Sequence, residues 1–114
     1  MHFTTSLKNN YEFRRLYAKG KHAATGLMAV YYRRNRKGTS QLGLTVGTKV
    51  GKAVKRNKVK RRLKEIYRRN EPKLKRGFDI VIVARVKSRY VTYGQLEADF
   101  LRLMDKLGLL EGEQ

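Results

Sequence analysis

Cysteine and tryptophan are absent from this chain of 114 residues, proline occurs once, and acidic side chains are few. Without cysteine there is no disulfide framework and no thiolate metal site, which fits a cytoplasmic protein. Without a Pro- or Gly-rich linker or an internal repeat, residues 1–114 read as one domain with a modest core. The acid shortage excludes more. Before residue 97 the only carboxylates are Glu12, Glu65, Glu71 and Asp79. A protein nuclease gathers carboxylates around metal ions or pairs histidine with an acid, and this chain has no such set. His2 and His22 read as surface residues, so neither a catalytic group nor a protein-bound metal or other cofactor is expected. No apolar run approaches the roughly 18 residues of a spanning helix. Met1-His-Phe-Thr-Thr-Ser-Leu7 also lacks the features of a signal peptide, so no membrane partner is expected.

What the chain has instead is positive charge. There are 28 Lys and Arg against 9 Asp and Glu, a net charge of +19. That much self-repulsion calls for a polyanion, and clustered cations bind nucleic acid strongly because binding releases condensed counterions. Residues 49–76 concentrate it, with 14 Lys or Arg against 2 Glu. On a helical wheel with Asn57 at zero, Lys60, Arg61, Lys64 and Arg68 fall within about 60° of it and form one stripe. Val59, Leu63 and Ile66 fall on the opposite side, where they can dock on a core, and Lys58, Arg62 and Arg69 form a third flank. Like charges at Lys60–Lys64 and Lys64–Arg68 would destabilise an isolated helix, so a purely solvated face is a weak explanation. Gly47-Thr-Lys-Val-Gly51-Lys52-Ala53 is one residue short of a phosphate-binding loop and has no hydroxyl at its end, which rules out an NTPase.

The pattern predicts the order α-β-β-α-β-α, an α+β sandwich. Asn9 with Glu12 reads as a capping box opening a helix through Phe13, Leu16 and Tyr17 to Gly20. Residues 23–33 alternate as one strand, a turn occupies 35–40, and residues 41–46 form a second strand, suggesting a hairpin. The basic helix runs from near Ala53 to about Asn70, ended by Pro72 because the residue before proline avoids the helical region. Residues 78–84 form a buried strand. A capping box at Thr92–Gln95, with Val91 and Leu96 as a staple, opens a last helix whose apolar face is Leu96, Phe100, Leu103 and Leu107. Phe13 and Tyr17 share a helix face, while Tyr31 and Tyr32 point to opposite faces of a strand. These aromatics suit either a core or a platform on which unpaired bases stack.

Residues Ala53-Val-Lys-Arg-Asn-Lys-Val-Lys-Arg-Arg-Leu-Lys-Glu65 closely resemble the RNR signature of the bacterial ribonuclease P protein subunits. The likeness extends to Ser6-Leu-Lys with Phe13, Tyr17 and Gly20, to Leu42-Gly-Leu-Thr-Val-Gly with Lys49 and Gly51, and to Phe78–Arg85. Lys58 stands in place of the motif's second Arg, and Lys64 where Arg is common, so charge is kept but the guanidinium fork is not. The resemblance implies a small single-domain α-β sandwich, like domain 2 of a ribosomal protein, with a four-stranded sheet and a left-handed β-α-β crossover. It also implies maturation of the 5′ end of precursor tRNA, with the RNA subunit as catalyst and its magnesium ions bound to that RNA. Lys49, Lys52, Arg56, Asn57, Lys58, Lys60, Arg61, Lys64 and Arg68 would then face ribonuclease P RNA. Phe13, Tyr17 and Tyr31 would hold the single-stranded 5′ leader of the precursor tRNA. A ribosomal or other structured-RNA-binding protein is the alternative. DNA is a poorer partner, since no helix-turn-helix spacing occurs and a strand follows the basic helix.

Overall fold

The computed structural model describes residues 2–111. In chain order the elements are β1 (Thr4–Ser6), α1 (Asn10–Lys19), β2 (Lys21–Ala24), β3 (Met28–Arg34), β4 (Ser40–Val46), α2 (Ala53–Asn70), β5 (Phe78–Ala84) and α3 (Tyr93–Lys106). The strands form one mixed sheet in the order β1-β4-β5-β3-β2. β4 runs parallel to both β1 and β5, whereas β3 is antiparallel to β5 and β2. The α+β sandwich is as expected, but the sheet has five strands rather than four.

The sheet departs from expectation in three ways. First, residues 23–33 are not one strand. Thr25 breaks the run: its Oγ1 accepts the Leu27 N–H at 3.1 Å and donates to the buried Asp99 carboxylate at 2.5 Å. The chain therefore reverses at Gly26, and β2 pairs back along β3. Second, β3 and β4 do not form a hairpin. β5 lies between them, because its Ile80, Val81 and Ile82 are apolar on both faces and need the sheet's centre. The three-residue β1 adds the fifth strand. It is too short and too polar to show alternation.

Helices cover both faces. On one, α2 supplies Val59, Leu63, Ile66 and Tyr67, and α3 supplies Leu96, Phe100, Leu103 and Met104, over Val30, Leu42, Ile80 and Ile82. On the other, Leu16 of α1 packs with Leu7 and Val81, flanked by Phe13, Tyr31 and Val83. Tyr31 and Tyr32 thus point to opposite faces, as the period of a strand requires. The Thr92 capping box closes as expected: its hydroxyl accepts the Gln95 N–H while the Gln95 side chain accepts the Thr92 N–H. Asn9 does cap α1, but only through its backbone carbonyl, which accepts the Glu12 N–H at 3.0 Å.

α2 ends at Asn70, though not by the proline rule. Glu71 itself has helical φ and ψ (−51°, −42°), and Pro72 lies within a 3-10 turn over Glu71–Lys73. Asn70 makes the break at φ −103°, ψ −1°, its Nδ2 donating to the Ile66 carbonyl and to Glu97, both at 2.8 Å. The turn carries Glu71 inward, where it is 1% exposed and accepts the backbone N–H groups of His2 (2.7 Å) and Phe3 (3.3 Å). This carboxylate fastens the N-terminal segment, and with it β1, to the end of the sheet. Among the described residues no helix is long and apolar enough to cross a membrane.

Burial pushes the Glu71 carboxyl up, but the hydrogen bonds from Thr4, His2 and Phe3 outweigh it and hold the group below its ordinary range. A depressed folded value gives stability that is present above the unfolded value of about 4.3 and is lost as pH falls through the folded value. Glu71→Gln is therefore expected to cost about 1–3 kcal/mol at neutral pH and to flatten the acid limb of the stability profile. Urea titrations at several pH values check this. An unchanged acid limb would show that Glu71 does not fasten the terminus.

Candidate nucleic-acid interface

The interface follows from a mismatch of strand lengths. β1 pairs with β4 only at Ser40, Gln41 and Leu42. Ser40 N–H and Leu42 C=O point toward it, donating to Phe3 and accepting from Leu7 respectively. The two-residue alternation of a strand then turns Leu44 and Val46 the same way, beyond the end of β1. Their backbone groups face an open edge. α1 overhangs that edge from one face of the sheet and α2 from the other, leaving a cleft of about 590 Å³.

The two walls differ in chemistry. α1 contributes Phe13, Tyr17, Asn10 and Arg14, and α2 contributes Arg56, Asn57 and Lys60. Tyr17 is 40% exposed, and its hydroxyl hydrogen-bonds Thr45 Oγ1 at 3.0 Å, which fixes the ring over the strand edge. Behind it the rings form a chain. Tyr17 meets Tyr31 edge-on at 5.0 Å, Tyr31 stacks with His22 at 5.1 Å, and Phe13 lies 6.5 Å from Tyr17. Phe13 sits over Gly43 because that residue has no side chain: a Cβ there would lie 2.6 Å from Phe13 Cε1 and Cζ. Gly43 thereby seats the aromatic wall.

The cations separate into tied and free groups. Arg62 Nη1 donates to the Val91 carbonyl, and Arg69 reaches Tyr93 and Glu97, so this flank joins α2 to α3. Arg56 lines the cleft but spends its Nε on the Gly51 carbonyl at 3.1 Å. Arg68 is clasped by Glu65 through two hydrogen bonds, at 2.9 and 2.5 Å, which hold the Glu65 carboxyl below its usual range. Lys60, Arg61 and Lys64 have no ion-pair partner among the described residues, and with Asn57 they line a shallow hollow beside the cleft.

Of the expected site residues, the cleft brings together Phe13, Tyr17, Arg56, Asn57 and Lys60. Lys64 and Arg61 adjoin it, and Tyr31 lies behind Tyr17. Lys49, Lys52 and Lys58 are exposed but do not line it. His22 belongs to β2 and is exposed, as expected of a surface residue. Asn10, Arg14 and Thr45 line the cleft without having been anticipated. Arg14 and Asn10 were findable, since they lie three and seven residues before Tyr17 and so share its helix face. Among the described residues no group of three or more His, Cys, Asp or Glu could hold a metal ion.

Gly43→Ala should displace the Phe13 ring and cost about 1–3 kcal/mol, as overpacking does, and Phe13→Leu in the same chain should recover part of the loss. Thermal unfolding of the two variants tests the seat; no cost for Gly43→Ala would contradict it. For the cationic wall, Arg61→Ala and Lys64→Ala should each lower the slope of log affinity for a folded RNA against log salt by about 0.7–0.9. Arg69→Ala, whose group is tied to Tyr93 and Glu97, should leave the slope unchanged. Equal slopes for all three would remove the division into tied and free cations.

Comparison with known proteins agrees with this geometry. The family model described as Ribonuclease P matches residues 1–108. The ribonuclease P protein component of Natranaerobius thermophilus is 38% identical over 106 residues, covering 93% of this chain and 92% of that protein. That of Clostridium botulinum (strain 657) is 42% identical over 104 residues, covering 90% and 94%. Among solved structures, the Staphylococcus aureus RNase P protein superposes with a TM-score of 0.86 at 28% identity, covering 93% of this chain and 97% of that one. The Thermotoga maritima RNase P protein gives 0.82 at 33% identity, covering 94% and 98%. The chain, whose open strand edge lies between an aromatic and a cationic wall, belongs to the ribonuclease P protein component family.

Proposed function

We propose that this protein is the accessory subunit of a ribonuclease P ribonucleoprotein, the endoribonuclease that removes the 5′ leader from precursor tRNA. One observation carries the reading: in a chain of this family, a cleft sets the exposed Tyr17 ring and the half-buried Phe13 ring opposite the Arg56 and Lys60 cations across a free strand edge. Such a cleft suits a single strand of RNA. Phe13 and Tyr17 offer faces for unpaired bases, Leu44 and Val46 offer backbone donors and acceptors, and Lys60 offers a phosphate contact. Arg61 and Lys64, beside the cleft, suit the phosphates of the larger RNA.

In this reading the chemistry belongs to ribonuclease P RNA and the magnesium ions that RNA requires. The protein's part is electrostatic and positional. Its cations reduce repulsion between two RNAs, and its cleft fixes the leader so that the scissile bond reaches the RNA's ions. The scarcity of carboxylates supports a protein that positions rather than cleaves. A cytoplasmic location fits a tRNA-maturing role and a chain without cysteine.

The test is cleavage of a precursor tRNA at low magnesium by a bacterial ribonuclease P RNA, with and without this protein. Cleavage at the mature 5′ end only when both are present is expected. Tight RNA binding without stimulation would point instead to a structured-RNA-binding protein with no part in cleavage.

A further inference from the structure

The cleft does not end at Lys60. A second cavity of about 430 Å³ shares Phe13, Leu44 and Lys60 with it and continues along β1, past Lys64 to Thr4. The two form one trough following β4 from Val46 back toward Ser40, about 20 Å at the usual rise per residue. The residue before Thr4 is Phe3, and the Arg76 guanidinium lies 4.2 Å from the centre of that ring. Arg36, Lys37 and Lys75 are exposed at the same end of the sheet.

A chain of net charge +19 has cations on every face, so charge alone does not mark a site. What distinguishes this end is how firmly the backbone beneath its cations is held and how thoroughly its acids are occupied. Phe3 is fixed on both sides: its N–H donates to Glu71, and its carbonyl accepts from Ser40 at 2.8 Å. The fully buried Ser40 hydroxyl accepts the Gly77 N–H at 3.1 Å, next to Arg76. Gly77 has φ +87°, and a Cβ there would lie 3.0 Å from the Lys37 carbonyl, so the 35–39 turn rests directly on it. Asn35 pins that turn, accepting the Lys37 N–H at 2.8 Å and donating to the Thr39 carbonyl and to Asp79. Glu71 and Asp79 are thus engaged by neutral groups. Arg36, Lys37, Lys75 and Arg76 have no ion pair among the described residues.

The geometry points to a second phosphate-binding platform at this end of the sheet, formed by Arg36, Lys37 and Arg76 with Phe3, which takes the continuation of an RNA strand lying in the trough. The assignment rests on the reading of the trough as an RNA-strand site. Continuity favours RNA over an acidic protein, since the same strand would pass from Lys60 along β1 to Arg76. A guanidinium stacked on a ring also leaves its edge free for a phosphate. A stacked strand advances about 3.4 Å per nucleotide, so about six nucleotides cross the trough and further ones reach the platform.

Two labelled oligouridylates, of about five and about fifteen nucleotides, separate the two regions in a fluorescence anisotropy titration against salt. The Arg36→Gln/Lys37→Gln/Arg76→Gln variant should bind the short probe within about twofold of the parent. It should bind the long probe roughly tenfold or more weakly, with a salt slope smaller by about 2, near 0.7 for each lost single-strand phosphate contact. Should the triple variant fail to fold, Arg36→Gln/Lys37→Gln leaves the Arg76–Phe3 stack intact and is expected to show about two-thirds of that slope change. An unchanged long-probe slope, or equal losses on both probes, overturns the platform while leaving the trough. Loss of polyglutamate binding with oligouridylate binding unchanged would assign it to an acidic protein and overturn the RNA assignment. Parent protein that fails to bind even the short probe contradicts the trough reading and the platform with it.

Discussion

The interface depends on β4 being paired along one side for nearly its whole length and along the other for less than half. β5 covers one edge from Gln41 to Val46, while β1 covers the opposite edge only to Leu42. An exposed strand edge is ordinarily a liability, because its unpaired amides and carbonyls invite other strands. Here it is recessed between α1 and α2, which lie on opposite faces of the sheet, so that a flat sheet or a second β-sheet protein cannot reach it easily. The parallel β4–α2–β5 connection places α2 along the edge strand, and Gly43 brings Phe13 of α1 down onto it.

The same arrangement divides the charge. Cations pointing back toward α3 or the start of α2 are used up in holding the fold: Arg62 on Val91, Arg69 on Tyr93, Arg56 on Gly51. Those pointing outward along the stripe are left to repel one another. Lys60 and Lys64 lie one turn apart with no acid between them, a repulsion that an isolated helix would not favour. Burial of Val59, Leu63, Ile66 and Tyr67 offsets it. A polyanion that neutralises the stripe would relieve the repulsion in the folded state alone, so binding and stability are linked.

Local signals were legible in the sequence and long-range pairing was not. α2 spans Ala53–Asn70 as its periodicity indicates, and the Thr92 box closes with both of its hydrogen bonds. Each depends on residues within a turn or two of one another. The hairpin expected between residues 23–33 and 41–46 failed because strand order is decided by which strand needs burial on both faces. The double-sided apolar character of β5 became decisive only when set beside its neighbours. β1 escaped notice because its placement depends on Glu71, distant in sequence and buried only in the folded chain. In the site, Phe13 and Tyr17 were legible as a shared helix face. Their exposure was not, since the same spacing serves a core equally well. The open edge at Leu44 and Val46 has no side-chain signature at all: it exists because β1 stops.

Backbone amide chemical shifts recorded while a short oligouridylate is added test that account most directly. Leu44 and Val46 amides should shift together with those of α1 around Phe13 and Tyr17, while the Ser40 and Leu42 amides, already facing β1, stay in place. Shifts confined to the exposed face of α2, with Leu44 and Val46 unmoved, would contradict the claim that the free edge of β4 is where the strand lies.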